Sequence, residues 1–115
     1  MRSTHRRGSE SDRLDAVFAA LSDPTRRTIL ARLSRKEFSV TELSAPLSIS
    51  VPAVSRHLRV LETAGLISRS KRGRVSYCRV RPNELRNAAN WILGQRAFWE
   101  RQLDAVAQFL EEEQS

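Results

Sequence analysis

The side chains that could do chemistry in this 115-residue sequence are mainly cationic, and they are concentrated in one third of the chain. Residues 50–81 contain eight basic residues and one acidic residue, a net charge of +7 that equals the net charge of the whole chain. Guanidinium and ammonium groups clustered in this way bind phosphates, so the pattern indicates a surface that contacts a nucleic acid. Charge alone leaves a second explanation open, namely a solvated surface without a partner.

The sequence offers little for catalysis or metal binding. It shows no Ser-His-acid set, no paired-carboxylate pocket and no glycine-rich phosphate loop, and we therefore predict that the protein is not an enzyme. Its imidazole and thiol groups are those of His5, His57 and Cys78, whose spacing matches no zinc or copper site. We accordingly expect no metal and no cofactor.

The cysteine content and the hydropathy pattern bear on location. Cys78 has no second cysteine to pair with, which is typical of proteins in a reducing cytosol. No apolar stretch reaches the roughly 20 residues that a membrane span requires, so we expect a cytoplasmic protein without membrane contact. Two roles stay open for Cys78: a small packing residue in a strand, or a redox switch whose pKa the neighbouring Arg79 lowers.

Helix caps and apolar spacing predict several short helices before the cationic third. Residues 1–12 are polar and show no apolar period, which indicates a disordered basic arm. Asp23 and Pro24 suit the cap and the first position of a helix. Ser39 and Glu42 have the spacing of a capping box at the start of another helix.

A well-marked helix opens the cationic third, with Ser50 as its N-cap and Gly65 in the left-handed position after its end. Val54, Leu58 and Leu61 form one apolar stripe on this helix and are predicted to face the core. The opposite face then carries polar and cationic side chains toward solvent.

Residues 66–69 and 75–80 predict two strands around a turn at Arg72-Gly73, although the alternation leaves the inward face of the second strand ambiguous. Two short helices joined by a three-residue turn and followed by a hairpin make a winged helix-turn-helix. The predicted fold is therefore mainly α with a small β-hairpin, in the order α-α-α-α-β-β-α. We assign residues 13–81 to this DNA-binding core.

The helix that begins at Ser50 has the size and the side chains to enter the major groove of B-DNA. Arg56 is the best candidate for a bidentate contact with a guanine edge, and the cations of the hairpin tip are candidates for phosphate contacts. The predicted DNA-binding residues on this helix and on the wing are Ser50, Pro52, Ala53, Ser55, Arg56, His57, Arg59, Lys71, Arg72 and Arg74.

Residues 82–115 predict a long helix whose apolar side chains keep a near-heptad order. So much apolar surface in a small domain favours a homodimer, while packing within its own subunit is the alternative. The predicted dimer-interface residues on this helix and on the first one are Leu14, Val17, Phe18, Ala88, Ile92, Trp99, Leu103, Val106 and Leu110.

Two motifs resemble a known family. Residues 20–27, ALSDPTRR, are similar to the opening signature of ArsR-type bacterial repressors, and residues 49–67 resemble that family's recognition helix and the entry to its wing. The resemblance covers roughly residues 14–81, and it implies a homodimer that represses transcription at a palindromic operator. The distal helix, with Trp91 and residues 98–100, resembles the metal-free autorepressor branch.

Metal sensing, which the family's classical members perform, is not expected. The family's Cys-Val-Cys ligand run falls on Ser39-Val40-Thr41, and the last helix has no histidine. We predict a sequence-specific repressor that binds double-stranded DNA at an inverted repeat as a homodimer. The alternative is a winged-helix protein-interaction module that does not read DNA, although such modules lose the cations that this chain keeps.

Overall fold

The computed structural model describes residues 9–114, which form five α-helices and one three-stranded antiparallel sheet. The elements in chain order are α1 (Glu10–Leu21), α2 (Pro24–Leu33), β1 (Phe38–Ser39), α3 (Val40–Ser44), a 3-10 turn (Ala45–Leu47), α4 (Val51–Thr63), β2 (Ile67–Arg72), β3 (Val75–Val80) and α5 (Pro82–Gln114). Helices α3 and α4 form the predicted helix-turn-helix, and strands β2 and β3 form the predicted wing.

Helix α1 begins earlier than predicted. Ser9 is its N-cap, and the Ser9 hydroxyl accepts a hydrogen bond of 3.1 Å from the backbone N–H of Asp12. The prediction of a disordered arm over residues 1–12 is therefore wrong for residues 10–12, because this cap satisfies one of the first free amides of the helix. The rest of the predicted arm, residues 1–8, lies outside the described residues.

The sheet contains a strand that the sequence did not predict. Strand β1 pairs antiparallel with β3, with Phe38 opposite Cys78 and Ser39 opposite Tyr77, so the strand order is β1-β3-β2. Two residues are too few for an alternating pattern to be recognised, and only pairing with a distant segment defines them as a strand.

The corner between α1 and α2 is built by the residues of the DPTRR segment. Asp23 caps α2 as predicted, accepting a hydrogen bond of 3.0 Å from the backbone N–H of Arg26, and Pro24 occupies the first turn. The side chains of Arg26 and Arg27 donate to carbonyls at the end of α1, including that of Leu21. These carbonyls belong to the last turn of α1, where no i+4 amide of the helix follows, so both arginines stabilise the corner.

The predicted capping box of α3 is confirmed. The Ser39 hydroxyl accepts from the backbone N–H of Glu42 at 3.1 Å, and the Ser39 backbone N–H donates to Glu42 Oε1 at 2.8 Å. The second bond favours the ionised carboxylate and is the main cause of the lowered pKa of Glu42.

The core lies among helices α1 to α4 and the inner face of the sheet. The apolar stripe predicted on α4 is confirmed, since Val54, Leu58 and Leu61 are each 0% exposed. The other large side chains that are fully buried come from four further elements or their ends, namely Val17, Ile29, Leu43, Leu66 and Ile67. Burial of the stripe fixes the rotation of α4 about its own axis.

The burial of Cys78 shows which face of β3 points inward. Its side chain is 0% exposed, whereas Val75 on the opposite face is 42% exposed. Burial raises the pKa of the Cys78 thiol to about 11, because the thiolate would lose its hydration. The structure therefore supports the packing role for Cys78 and not the redox switch.

Gly65 ends α4 in the predicted left-handed conformation, with φ of +79°. Its backbone N–H donates to the carbonyl of Glu62, and the N–H of Leu66 donates to the carbonyl of Leu61. This pair of bonds is a Schellman motif, and it turns the chain directly into β2.

The described chain divides into two compact units, one ending at Leu85 and one beginning at Arg86. The first unit contains every element up to the first turn of α5, a boundary four residues later than predicted. The second unit is the remainder of α5, which continues without interruption through Gly94 to Gln114.

We predict that Gly65→Ala lowers the free energy of unfolding by about 1–2 kcal/mol, because L-residues with a Cβ are strained in the left-handed region. The added Cβ would also lie 3.1 Å from Glu84 Cγ. Urea denaturation followed by circular dichroism measures the change. The matched control is Gly94→Ala, the same change at a helical position with nothing within 4 Å of the new Cβ. In the control, the free energy of unfolding should rise by about 0.5–1 kcal/mol. A decrease equal to that of Gly65→Ala would refute this explanation.

We also predict that Cys78 is chemically inert in the folded protein. A pKa of about 11 leaves little thiolate at pH 8, and the side chain is buried. Alkylation by iodoacetamide, followed by mass spectrometry, should be at least about a hundredfold slower in buffer than in denaturant. Equal rates in the two conditions would restore the redox-switch hypothesis.

Candidate nucleic-acid interface

Helix α4 presents a cationic face to solvent because its apolar stripe is buried. Pro52, Arg56 and Arg59 are all exposed on this face. Within residues 9–114, the guanidinium groups of Arg56 and Arg59 have no ion-pair or hydrogen-bond partner. Both are therefore available to phosphate groups or to base edges.

The first turn of α4 is fixed by its predicted cap. The Ser50 hydroxyl accepts a hydrogen bond of 3.2 Å from the backbone N–H of Ala53, which confirms Ser50 as the N-cap. The preceding Ser48 has φ of +56°, a left-handed residue that makes the short turn between α3 and α4 possible. Ala53 and Ser55 are half-buried, so this turn places them at the border of the exposed face.

His57 lies away from the exposed face of α4. Its Nδ1 atom is 3.3 Å from Arg26 Nη1 and 3.9 Å from Asp23 Oδ2, at the start of α2. The hydrogen bond from the Arg26 backbone is the main cause of the lowered pKa of Asp23, and the charges of His57 and Arg26 act in the same direction. The structure thus places His57 in the corner between the helices, and not with the other predicted DNA-binding residues.

The tip of the wing carries two cations that the fold does not use. Arg72 pairs with Val75 across the hairpin, so Gly73 and Arg74 form a two-residue turn. Lys71 and Arg74 are exposed and have no partner in the part of the chain that the structure describes. Their charges can follow a phosphate backbone.

Arg72, in contrast, is folded back onto the outer face of the sheet. Its guanidinium forms an ion pair with Glu37 and lies 3.9 Å from the centre of the Tyr77 ring. A cation over an aromatic face and beside a carboxylate is held in place by both partners. Arg72 therefore holds the wing against β1, a role that the sequence prediction of a phosphate contact did not include.

Other cations in the first unit also have internal partners. Arg69 of β2 pairs with Glu62 of α4 at 3.3 Å and so ties the wing to the helix. Arg32 donates to the carbonyls of Leu43 and Glu42, and its guanidinium lies 4.6 Å from the centre of the Phe38 ring. Net charge alone therefore overstates the number of cations that are free to bind DNA.

The sequence did not identify Val51 as a candidate site residue. Val51 is 46% exposed in the first turn of α4, and the nearby Ile49 is 36% exposed. Val51 stands three residues before Val54 and seven before Leu58, a spacing that continues the apolar stripe and therefore predicts a core side chain. It is nevertheless exposed, at the first position of the helix.

The second unit is a helix with a largely apolar and exposed face. Five of its predicted interface residues are between 49% and 65% exposed, namely Ile92, Trp99, Leu103, Val106 and Leu110. Phe98 and Phe109 extend the same face, with exposed fractions of 42% and 58%. The Phe98 and Trp99 rings meet edge to face, with centroids 5.4 Å apart.

Two predicted interface residues do not belong to an exposed face. Val17 is 1% exposed and Ala88 is 3% exposed in the single chain, so neither offers surface to a second copy. Leu14 is half-buried, and Phe18 is 36% exposed on α1.

The residues that the structure describes contain no group of three or more His, Cys, Asp or Glu side chains placed to hold a metal ion. A search of the same residues for a helix long and apolar enough to cross a membrane found none.

Comparison with known proteins agrees with this geometry. Residues 23–69 match the family described as bacterial regulatory protein, arsR family. The transcriptional repressor SdpR of Bacillus subtilis is 35% identical over 80 residues, which cover 70% of this chain and 89% of that protein.

Two solved structures are similar to this chain. An ArsR-like transcriptional regulator from Rhodococcus sp. RHA1 has a TM-score of 0.73 and 37% identity, covering 86% of this chain and 93% of its own. A homodimeric winged helix-turn-helix DNA-binding domain from Mycobacterium bovis has a TM-score of 0.65, and the likeness covers 86% of this chain and 93% of that chain. At 22% identity, this second likeness bears on the fold alone.

Proposed function

This chain belongs to the ArsR family of bacterial regulatory proteins, and we propose that it represses transcription by binding an inverted-repeat operator as a homodimer. The observation that carries the proposal is the exposed cationic face of α4 beside a wing tip with two further cations. Its relative SdpR is a transcriptional repressor, which supports the direction of the regulation.

In the proposed complex, α4 lies in the major groove with its first two turns against the base edges. Arg56 donates two hydrogen bonds to a guanine, the commonest specific contact in this groove. Lys71 and Arg74 contact phosphates and supply affinity without sequence information. Repression follows because the operator is then occupied, and RNA polymerase needs access to the same DNA.

The apolar face of α5 supports the proposed homodimer. Large exposed apolar patches on small domains mark interaction surfaces. The helical spacing of Ile92, Trp99 and Val106 is seven residues at each step, which suits packing against an equivalent helix. The homodimeric domain from Mycobacterium bovis has the same fold. A two-fold dimer places two recognition helices about 34 Å apart, which explains the inverted repeat.

The proposal assigns the protein no catalytic role and no metal sensor. The polar side chains in the described residues serve as helix caps, as ion pairs within the fold and as exposed cations. Ser39 and Thr41 stand where classical family members carry cysteine ligands, and Ser39 is used as a helix cap. A regulator of bacterial DNA acts in the cytoplasm, where we place this protein.

A salt titration of DNA binding tests the proposed function. The full chain is titrated into the duplex upstream of its own gene and into a scrambled duplex of equal length, and binding is followed by fluorescence anisotropy. We expect tighter binding to the native duplex by at least about a thousandfold at physiological salt, with a steep loss of affinity as salt rises. Weak and equal binding to both duplexes, with binding to a partner protein instead, would favour the interaction-module alternative.

In the same measurement, we predict that Arg56→Ala weakens operator binding by about 1–3 kcal/mol, because a bidentate contact to one guanine is lost. Specificity at that base pair should relax. Binding to the scrambled duplex should change much less.

The matched control is Arg74→Ala, which removes the same charge from the wing tip. It should weaken binding to both duplexes similarly and reduce the salt slope by about one per subunit. If Arg56→Ala also weakened both duplexes equally, Arg56 would be a phosphate contact and its assignment to a guanine would be wrong.

We further predict that Leu103→Glu dissociates the homodimer, because a charge would be buried in the centre of the apolar interface. Sedimentation equilibrium should show the wild type at twice the chain mass of 13.1 kDa and the variant at the chain mass. The affinity of the variant for the operator should also be lower.

The control is Leu93→Glu. Leu93 is 55% exposed on the same helix but lies outside the face formed by Ile92, Trp99 and Leu103. This variant should stay dimeric. A wild-type chain that sediments at 13.1 kDa at micromolar concentration would contradict the proposed dimer.

A further inference from the structure

The tip of the recognition helix α4 is apolar, although the surface around it is cationic. Val51 is 46% exposed at the first position of the helix, and Pro52 beside it is also exposed. Ile49, just before the cap, is 36% exposed. Arg56 follows little more than one helical turn after Val51.

The polar groups of this turn are largely occupied within the fold. The Ser50 hydroxyl already accepts the backbone N–H of Ala53. Pro52 has no N–H to donate. The side chain of Val51 has no polar atom, so the surface that this turn offers to a DNA groove is mostly apolar.

The major groove has one apolar feature that such a surface can match. Every base pair presents hydrogen-bond donors and acceptors there, but only thymine presents a methyl group. Pressing Val51 against a donor or an acceptor would remove water from that group without replacing its hydrogen bond, which costs free energy. A thymine methyl at the same position gains from the contact.

We propose that Val51, with Pro52 beside it, determines specificity by contacting the 5-methyl group of a thymine in each operator half-site. The inference rests on the proposed function, since it names what the same site recognises. Val51 and Arg56 are five positions apart, a rise of about 7.5 Å along the helix, so the thymine and the guanine that Arg56 contacts belong to the same half-site.

The test begins with an operator selected from random duplexes by the full chain. Each thymine of the half-site is then replaced by deoxyuridine, which lacks only the 5-methyl group. Wild-type protein should lose about fourfold in affinity per half-site at one thymine, the value expected for one buried methyl group. Val51→Ala should bind the thymine operator more weakly and should not distinguish thymine from deoxyuridine at that position.

Two controls keep the test specific. Val60→Ala makes the same change at a valine that is 41% exposed on the same helix, nine residues further on, and it should keep the wild-type preference for thymine. Replacing the critical thymine pair with a 5-methylcytosine pair should retain more affinity than an unmethylated cytosine pair. Circular dichroism melting confirms that each variant is folded.

The outcomes separate the two proposals. Selection that enriches no sequence would overturn the proposed function and the inference with it. An enriched operator whose affinity is unchanged by deoxyuridine at every thymine would overturn the inference alone. So would Val51→Ala protein that keeps the full preference for thymine, because another residue would then contact the methyl group.

Discussion

The burial of one apolar stripe on α4 is the constraint on which the rest of this structure depends. With Val54, Leu58 and Leu61 fully buried, the helix has one possible rotation, and Arg56 and Arg59 must point outward. The Ser50 cap and the Schellman motif at Gly65 set where the helix begins and ends. Together these contacts hold the proposed DNA-reading surface on a rigid helix, which positions side chains more precisely than a loop does.

The arginines of the first unit divide into two groups with different tasks. Arg26 and Arg27 stabilise the corner between α1 and α2, and Arg69 and Arg72 tie the wing to the rest of the unit. A second group consists of Arg56 and Arg59 on the exposed face of α4 and Arg74 at the wing tip. These arginines have no partner in the described residues, and we propose that they contact DNA. The arginines with internal partners fix the positions of α4 and the wing, and the arginines without partners supply the positive charge of the exposed surface.

The second unit has a different physical problem. Most of the 33-residue helix α5 lies in this unit, and its large apolar side chains that are more than 40% exposed are costly in water. A second copy of the same helix would remove that cost. Regulation by an inverted repeat requires two recognition helices in a fixed arrangement. In the proposed dimer, the same apolar surface would meet both the need for burial and the need for symmetry.

The sequence by itself determined what depends on neighbours a few residues apart. The caps at Asp23, Ser39 and Ser50, the left-handed Gly65 and the stripe of α4 could all be predicted, because capping bonds and helical periodicity are local. These local features, with the ALSDPTRR segment, were sufficient to predict the winged helix-turn-helix and most of the exposed face of α4.

Only the tertiary structure decided which side chains are free. The pairing of β1 with β3, the ion pair of Arg72 with Glu37 and the contact of His57 with Arg26 join residues more than 30 positions apart. No local pattern specifies such contacts, because they depend on how separate elements pack. For the same reason only the tertiary structure shows that the side chain of Val51 is exposed, because its exposure depends on how the other elements pack against α4.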